Sequence, residues 1–216
     1  MPARLVGSAA LRLLFDMDGT LLDSSRSVER HWRRWAARHG HDAEHVLAIV
    51  HGHRSRDSIA LVDPALDADE EAERIDAEQA ADVEGVVAIE GAAELLAGLE
   101  ASQWAIVTSA TRALAVARLR EAGLPLPGTL ICAEDVAAGK PAPDGYALAA
   151  RRLGAPAADC VVVEDTPSGI ESGRRAGMAT VAVLTTHAEA DLTDADAVVS
   201  HLDQLAAVAA LLTQRG

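Results

Sequence analysis

The stretch CVVVEDTPSGIESGRRAG, residues 160–177, carries the pattern on which the fold assignment depends. It opens with an apolar run without alternation, which is typical of a strand covered on both faces of a parallel sheet. Glu164 and Asp165 end this run, and a helical pattern at 168–176 follows and stops before Gly177. The stretch therefore predicts a strand, a charged turn and a helix in direct succession.

The same succession recurs along the chain. Apolar runs predict strands at 11–15, 104–108, 129–132, 160–164, 180–184 and, more weakly, 197–199. Helical patterns occupy 92–99, 113–122, 146–153, 168–176 and 202–212. This alternation predicts an α/β protein with a doubly wound, Rossmann-like parallel sheet.

One interval, from about residue 23 to 89, shows helical patterns and no convincing strand. An apolar stripe at helical spacing opens it, formed by Val28, Trp32, Trp35 and Ala36. Further helices fit 44–50, 58–61 and the acidic stretch within 63–84, which we interpret as a solvated helix face. We therefore expect a helical cap domain at 23–89, able to rock as a lid, inserted into a core domain of 1–22 and 90–216.

Composition excludes several classes of protein. The formal net charge of −14 would repel the phosphate backbone of a nucleic acid, and aromatic residues that could stack on bases are scarce. No apolar run is long enough to span a membrane, and the first residues lack the features of a secretory signal. We expect a cytoplasmic protein without nucleic-acid or membrane partners, in which Cys132 and Cys160 are buried free thiols.

Polar residues follow four of the predicted strands, where an open parallel sheet places its chemistry. They are Asp16 and Asp18 within DMDGT, Ser109 with Ala110, the chain's single lysine Lys140, and Glu164 with Asp165. Each alone also fits an ordinary turn, a helix cap or a chance lysine. As a set, carboxylates suit Mg²⁺, while hydroxyl, amide and ammonium suit a phosphoryl group, which indicates metal-assisted phosphoryl transfer to a carboxylate.

These four strand ends resemble the four motifs of the haloacid dehalogenase-like superfamily, in the branch with a helical cap after the first strand. The stretches VVVEDTPSGIESGRRAGM (161–178) and GKPAPDGY (139–146) are especially similar to that family's pattern. In the insert, DAEHVLAIVHGHRSRDSI (42–59) resembles the branch of glycerol-3-phosphatases and 2-deoxyglucose-6-phosphatase-like sugar phosphatases. The resemblance covers about residues 11–184 and implies a Rossmann-like core with a cap.

The resemblance further implies a Mg²⁺-dependent phosphatase, a phosphoric monoester hydrolase that acts on small phosphorylated sugars or polyols. Asp16 is expected to attack phosphorus and become an aspartyl phosphate, while Lys140 helps to cancel the charge repulsion. Asp18 is expected to protonate the leaving alkoxide and then to activate water. The expected partner is a small phosphate ester, and the expected assembly is a monomer or a weak homodimer.

The same resemblance assigns the remaining roles. Mg²⁺ is expected on Asp16, the backbone carbonyl of Asp18 and Asp165, with Glu164 orienting Lys140 or a water of the metal. Ser109 and the amide of Ala110 are expected to bind phosphoryl oxygens. In the cap, Arg54 is our candidate for a contact to substrate oxygens, although a surface arginine fits the sequence equally well.

Two other functions remain open at this point. A hexose-phosphate mutase of the same fold, similar to β-phosphoglucomutase, needs cap groups that grip a second phosphate, and Arg54 and Arg56 are candidates. A phospho-acceptor signalling domain also combines acidic residues, a hydroxyl and a lysine in a similar sheet, but such domains lack an inserted cap.

Overall fold

The computed structural model describes residues 11–50 and 52–212, the side chains of 210 and 211 excepted. Its strands are β1 (Arg12–Phe15), β2 (Leu22–Asp23), β3 (Val87–Ala88), β4 (Trp104–Val107), β5 (Leu130–Ile131), β6 (Cys160–Glu164), β7 (Ala179–Val183) and β8 (Ala197–Val199). Its helices are α1 (Ser25–His39), α2 (Ala43–Val50), α3 (Ser55–Val62), α4 (Ala68–Ala81), α5 (Ala92–Ala97), α6 (Arg112–Glu121), α7 (Asp144–Arg152), α8 (Pro167–Arg175) and α9 (Leu205–Leu212). Among these described helices, not one combines the length and the apolar character needed to cross a bilayer.

Six strands form one parallel sheet in the order β5-β4-β1-β6-β7-β8. β1 lies at its centre, where Phe15 is in register with Ile106 on one side and Val163 on the other. Because the chain order reverses at β1, a crevice is expected beyond the carboxyl end of this strand. The predicted α/β class with a doubly wound parallel sheet is confirmed.

Alternate residues of the central strands supply the two faces of the core, as the two-residue period of a strand requires. Leu13, Phe15 and Val161 pack on one face. Leu14 and Val162 pack on the other face, against α7. The buried free thiols expected at Cys132 and Cys160 are confirmed, and each lies in one of these two clusters.

Helices α1 to α4 build a separate apolar cluster around Trp32, Trp35, Ile59 and Ile75. The two tryptophan rings meet edge to face with centroids 5.5 Å apart. The chain enters and leaves this helical part through β2 and β3, which pair antiparallel with each other. The sequence did not indicate these two-residue strands, because so short a segment has no periodicity. The division into core and cap remains our proposal, and residues 1–10 and 213–216 of the proposed core lie outside the described part.

The acidic stretch forms α4, and the predicted solvated face is wrong for two of its residues, Glu71 and Asp76, which are buried. Glu71 Oε2 accepts hydrogen bonds from Trp35 Nε1 at 3.0 Å and from His39 Nε2 at 2.9 Å. Asp76 Oδ1 accepts one from Ser55 Oγ at 2.6 Å. Because α4 packs against α1, α3 and α6, these carboxylates face neighbouring helices and find donors there.

Candidate active site

Asp16 is the first residue after β1, and its amide donates to the carbonyl of Val163 at 2.9 Å. The neighbouring strand β6 therefore fixes the backbone from which the Asp16 side chain projects. The following turn depends on Gly19, which has a φ of +88°. A Cβ there would lie 2.1 Å from Asp165 Oδ2, so only glycine lets the turn approach this carboxylate.

Lys140 connects the two carboxylates at the ends of β1 and β6. Its Nζ donates to Asp16 Oδ1 and to Glu164 Oε1, the latter at 2.6 Å, and its side chain is 7% exposed. The peptide bond between Lys140 and Pro141 is cis. Burial alone would lower the pKa of the Lys140 ammonium, but Asp16 and Glu164 together raise it, so Lys140 stays charged.

Glu164 is completely buried and has both oxygens occupied by donors. Oε1 also accepts from Tyr146 Oη at 3.0 Å. Oε2 accepts from the amides of Asp165 and Thr166 at 3.0 and 3.1 Å and from Thr166 Oγ1 at 2.9 Å. Glu164 therefore holds Lys140 and the turn after β6 in place.

Asp165 receives its hydrogen bonds from two threonine hydroxyls. Thr20 Oγ1 donates to Oδ1 at 2.9 Å, and Thr186 Oγ1 donates to Oδ2. Burial, followed by the charge of Glu164, raises the pKa of Asp165 to about 7. Burial also raises the pKa of Asp16 well above its usual range, although Lys140 acts in the opposite direction.

The donor set of this acidic cluster fits a divalent metal ion. Oxygens of Asp16, Glu164 and Asp165 lie within 4.8 Å of one another and are buried. With all groups ionised, three carboxylates and the Lys140 ammonium leave two negative charges uncompensated, which is costly in a buried site. A divalent cation would remove that cost, and hard oxygen ligands suit it. Each oxygen of Glu164 already accepts two or three hydrogen bonds, whereas each oxygen of Asp165 accepts one. Asp16 and Asp165 are therefore the better candidates for side-chain ligands.

Asp18 lies two residues further along the turn, and its carboxylate points to a different partner. Asp18 Oδ1 accepts from Arg118 Nη1 on α6 at 2.9 Å. Among the described residues, the carboxylate oxygens that lie close together belong to Asp16, Glu164 and Asp165, and Asp18 is not one of them. The position of the Asp18 side chain does not test whether its backbone carbonyl binds the metal, so that contribution stays a prediction.

A cavity of about 90 Å³ lies between the strand ends and helices α1 to α4. The predicted residues Asp16, Asp18, Ser109, Ala110 and Asp165 all line it. The structure therefore brings most of the predicted site to one place, while the catalytic and binding roles of these residues remain predictions.

Ser109 and Ala110 currently make contacts within the protein. Ser109 Oγ donates to the carbonyl of Gly52 at 2.9 Å, which joins the loop after β4 to the loop between α2 and α3. The Ala110 amide donates to Thr108 Oγ1 at 3.1 Å. A phosphoryl group at this place would have to compete with these two acceptors for the same donors.

Arg54 lies beside the loop that carries Lys140, outside the lining of this cavity. Its guanidinium donates to both oxygens of Asp57, at 2.6 and 3.1 Å, and to the carbonyl of Ala137 at 3.2 Å. The predicted contact of Arg54 with substrate therefore remains a prediction that requires these bonds to open. His51, its neighbour in the sequence motif, lies outside the described residues.

Arg118 is the residue of this region that sequence reasoning missed. It lies on the same helical face as Leu114, Ala115 and Leu119, which are all buried. An arginine on an otherwise apolar helix face was the available signal, because such a side chain needs a buried partner.

Comparison with known proteins agrees with this geometry. The family model for haloacid dehalogenase-like hydrolases matches residues 12–177. Hexitol phosphatase A of Escherichia coli is 43% identical over 197 residues, covering 89% of this chain and 91% of that protein. Glycerol-1-phosphate phosphohydrolase 2 of Saccharomyces cerevisiae is 34% identical over 185 residues, covering 80% of this chain and 74% of that protein.

Among solved structures, β-phosphoglucomutase of Clostridium difficile aligns with a TM-score of 0.83, covering 95% of this chain and 98% of that one. At 18% identity this likeness concerns the fold alone. The family match and the two relatives together establish that this chain belongs to the haloacid dehalogenase-like hydrolases.

Proposed function

We propose that this protein is a Mg²⁺-dependent phosphatase that hydrolyses phosphate monoesters of small polyols or sugars through an aspartyl phosphate at Asp16. The observation that carries the proposal is the convergence of Asp16, Lys140 and Asp165 beside a cavity between the strand ends and the helical insert. The names of the two relatives, which act on a hexitol phosphate and a glycerol phosphate, support the substrate class.

In the first half of the reaction, a carboxylate oxygen of Asp16 attacks phosphorus, and the bond from phosphorus to the leaving alcohol oxygen breaks. Lys140 contacts Asp16 and reduces the repulsion between the carboxylate and the dianionic ester. Mg²⁺, held by Asp16, the Asp18 carbonyl and Asp165, supplies further charge neutralisation when bound. Asp18 donates a proton to the departing alkoxide.

In the second half, Asp18 accepts a proton from water as that water attacks phosphorus. The bond between phosphorus and Asp16 breaks, inorganic phosphate leaves, and the Asp16 carboxylate is regenerated. Acid–base help of this kind is typically worth about 10²–10⁴-fold in rate. Ser109 Oγ and the Ala110 amide, both from residues that line the cavity, bind phosphoryl oxygens after they release the Gly52 carbonyl and Thr108 Oγ1.

The mutase alternative is less well supported. It needs cap cations to hold a second phosphate, but both candidate arginines are paired with cap carboxylates. Arg54 bonds with Asp57, and Arg56 Nη1 lies 3.1 Å from Asp69 Oδ1. Membership in a hydrolase family with a helical insert also disfavours a signalling phospho-acceptor domain.

A panel of phosphate esters, assayed with Mg²⁺ and with EDTA, tests the proposal. We expect repeated phosphate release from polyol and sugar phosphates without a bisphosphate activator, and its loss in EDTA and in Asp16→Asn. Asp194→Asn, which changes an exposed carboxylate, is the matched control and should remain active. Full activity in EDTA, or in Asp16→Asn, would overturn the proposal.

The predicted role of Arg54 is tested by the same panel. If Arg54 contacts substrate, Arg54→Ala changes the preference among esters more than it changes turnover of a generic ester. An equal change for all esters would contradict the assignment.

A further inference from the structure

A second polar group lines the cavity away from the acidic cluster, and it consists of Ser55, Asp76, Gln79 and Arg118. We call it the cap-side polar group. Ser55 begins α3, Asp76 and Gln79 lie one turn apart on α4, and Arg118 projects from α6. Three separate helices therefore place polar side chains on one wall.

Hydrogen bonds connect the members of this group with each other and with Asp18. Arg118 donates from Nη2 to Gln79 Oε1 at 2.7 Å and from Nη1 to Asp18 Oδ1 at 2.9 Å. Ser55 Oγ donates to Asp76 Oδ1 at 2.6 Å. The Nε of Arg118 is buried without a hydrogen-bond partner.

The group is deeply buried. Asp76, Gln79 and Arg118 are only 9%, 2% and 4% exposed. Polar groups of this kind cost stability in a protein interior unless each is well paired. Their placement on the wall of a cavity suits a ligand that is itself polar.

The position of Asp18 tells which part of the ester reaches this wall. In the proposed reaction Asp18 must contact the oxygen between phosphorus and the leaving alcohol. The alcohol therefore extends past Asp18, and Arg118 and Gln79 are the next side chains along this hydrogen-bonded path.

Apolar side chains also line the cavity, namely Val28, Trp32, Val50 and Leu114, beside further polar residues such as Ser24, Ser25 and His53. A polyol has carbon-bound hydrogens that suit such a wall and hydroxyl groups that suit carboxylate, amide and guanidinium partners. The cavity has a volume of about 90 Å³, which is room for more than one water-sized group.

We propose that the cap-side polar group binds the hydroxyl groups of the leaving alcohol and thereby selects polyol esters over esters of plain alcohols. This inference rests on the proposed phosphatase function and names the residues that decide its substrate. Asp76 and Gln79 act as the specificity-determining residues, while Arg118 joins Gln79 to Asp18.

The test compares two substrates with the same carbon skeleton, glycerol 1-phosphate and n-propyl phosphate. Wild type should prefer the glycerol ester. Asp76→Asn and Gln79→Met should each lower kcat/KM for the glycerol ester by about 10-fold or more, mainly through KM, and affect the propyl ester much less. Arg118 is left unchanged because its contact with Asp18 would mix binding with chemistry.

Glu71→Gln is the matched control, because Glu71 is also a buried acid of α4 but lies outside the cavity lining. It should keep the preference of wild type. Thermal unfolding of each variant identifies those that fold, and Gln79→Met decides the question if Asp76→Asn does not.

The outcomes separate the inference from the function on which it rests. A wild-type preference that survives in both cavity variants, or that is lost equally in Glu71→Gln, overturns the inference alone. So does equal hydrolysis of the two esters by wild type. A wild type that releases phosphate from no polyol or sugar ester of the panel, with Mg²⁺ present, overturns the proposed function as well.

Discussion

The acidic cluster at the strand ends and the cap-side polar group face the same cavity, but they are built in different ways. Each carboxylate of the acidic cluster ends or directly follows a strand, so its position is set by a short local segment and the register of the sheet. The members of the cap-side polar group come from three helices and meet only because α4 packs against α3 and α6. The placement of the reacting groups thus depends on local sequence, whereas the choice of the leaving alcohol depends on tertiary packing of the helices.

The two regions also differ in how many hydrogen bonds their carboxylate oxygens accept. Glu164 has every oxygen occupied, and Lys140 bonds with two carboxylates. Asp76 has a single donor among the bonds described, and burial raises its pKa to about 6. Substitutions in the acidic cluster should therefore reduce turnover of every ester, whereas substitutions in the cap-side polar group should act on substrate preference and on stability.

The largest effect is expected for Lys140→Met, which keeps the length of the side chain and removes its charge. Asp16 and Glu164 would then face each other and the ester without the ammonium group of Lys140, so kcat should fall by about 10²–10³-fold for all esters alike. Steady-state kinetics on a polyol ester and a plain ester measure this. A loss confined to polyol esters would contradict the separation of the two regions.

A large loss of stability is expected for Gly169→Ala, on the first turns of α8. Its Cβ would lie 1.7 Å from Glu164 Oε1, and Glu164 cannot move without giving up its donors. We expect a cost of about 3 kcal/mol or more, which corresponds to a Tm lower by roughly 6–12 °C.

Gly128→Ala is the control, since the nearest atom to its Cβ would be the Ala101 carbonyl oxygen at 3.8 Å. Equal Tm values for the two variants would show that Glu164 is not held as rigidly as the structure indicates.

A further effect on stability, of similar size or smaller, is a pH-dependent gain for Asp76→Asn. Burial raises the pKa of folded Asp76 to about 6, opposed by Ser55 and Arg118 and assisted by Glu134. An acid with a raised folded pKa costs nothing below about pH 4, and the cost grows until about pH 6 and then stays constant. The variant should therefore gain up to about 3 kcal/mol over wild type at pH 7, and almost nothing near pH 4.

Glu71→Gln sharpens this comparison because its sign is opposite. Burial alone would raise the pKa of Glu71, but hydrogen bonds from His39 and Trp35 lower it overall. Its carboxylate thus stabilises the fold fully above the unfolded pKa of 4.5, and this contribution is lost as pH falls through the lower folded pKa. The deficit of the variant against wild type should therefore be constant near neutral pH and shrink below about pH 4.5. Thermal unfolding from about pH 3 to pH 7.5 measures both variants, and parallel curves would refute the assignment.

The sequence was informative wherever a strand ends in a polar motif. Asp16, Lys140, Glu164 and Asp165 could be predicted to meet, because parallel strands deliver their carboxyl ends to one edge. Apolar runs and helical spacing likewise predicted the sheet and the four inserted helices, which are confirmed in the described residues.

The cap was less predictable because its contacts depend on helix packing. Asp76 stands in a run of acidic residues that is mostly solvated, and no local pattern marks it as facing α3 and α6. Arg54, by contrast, looked like a substrate contact in the sequence, and only the fold reveals its pairing with Asp57. Two-residue strands such as β2 and β3 carry no periodic signal at all.

Transfer of the phosphoryl group to the carboxylate of Asp16 can be detected by chemical trapping of the aspartyl phosphate. The enzyme is mixed with Mg²⁺ and a polyol phosphate, quenched within the first turnover and reduced with borohydride, which converts an aspartyl phosphate to homoserine. Peptide mass spectrometry should find homoserine at position 16 in wild type and at no position in Asp16→Asn. Rapid phosphate release with unmodified Asp16, or with homoserine at another aspartate, would contradict the account.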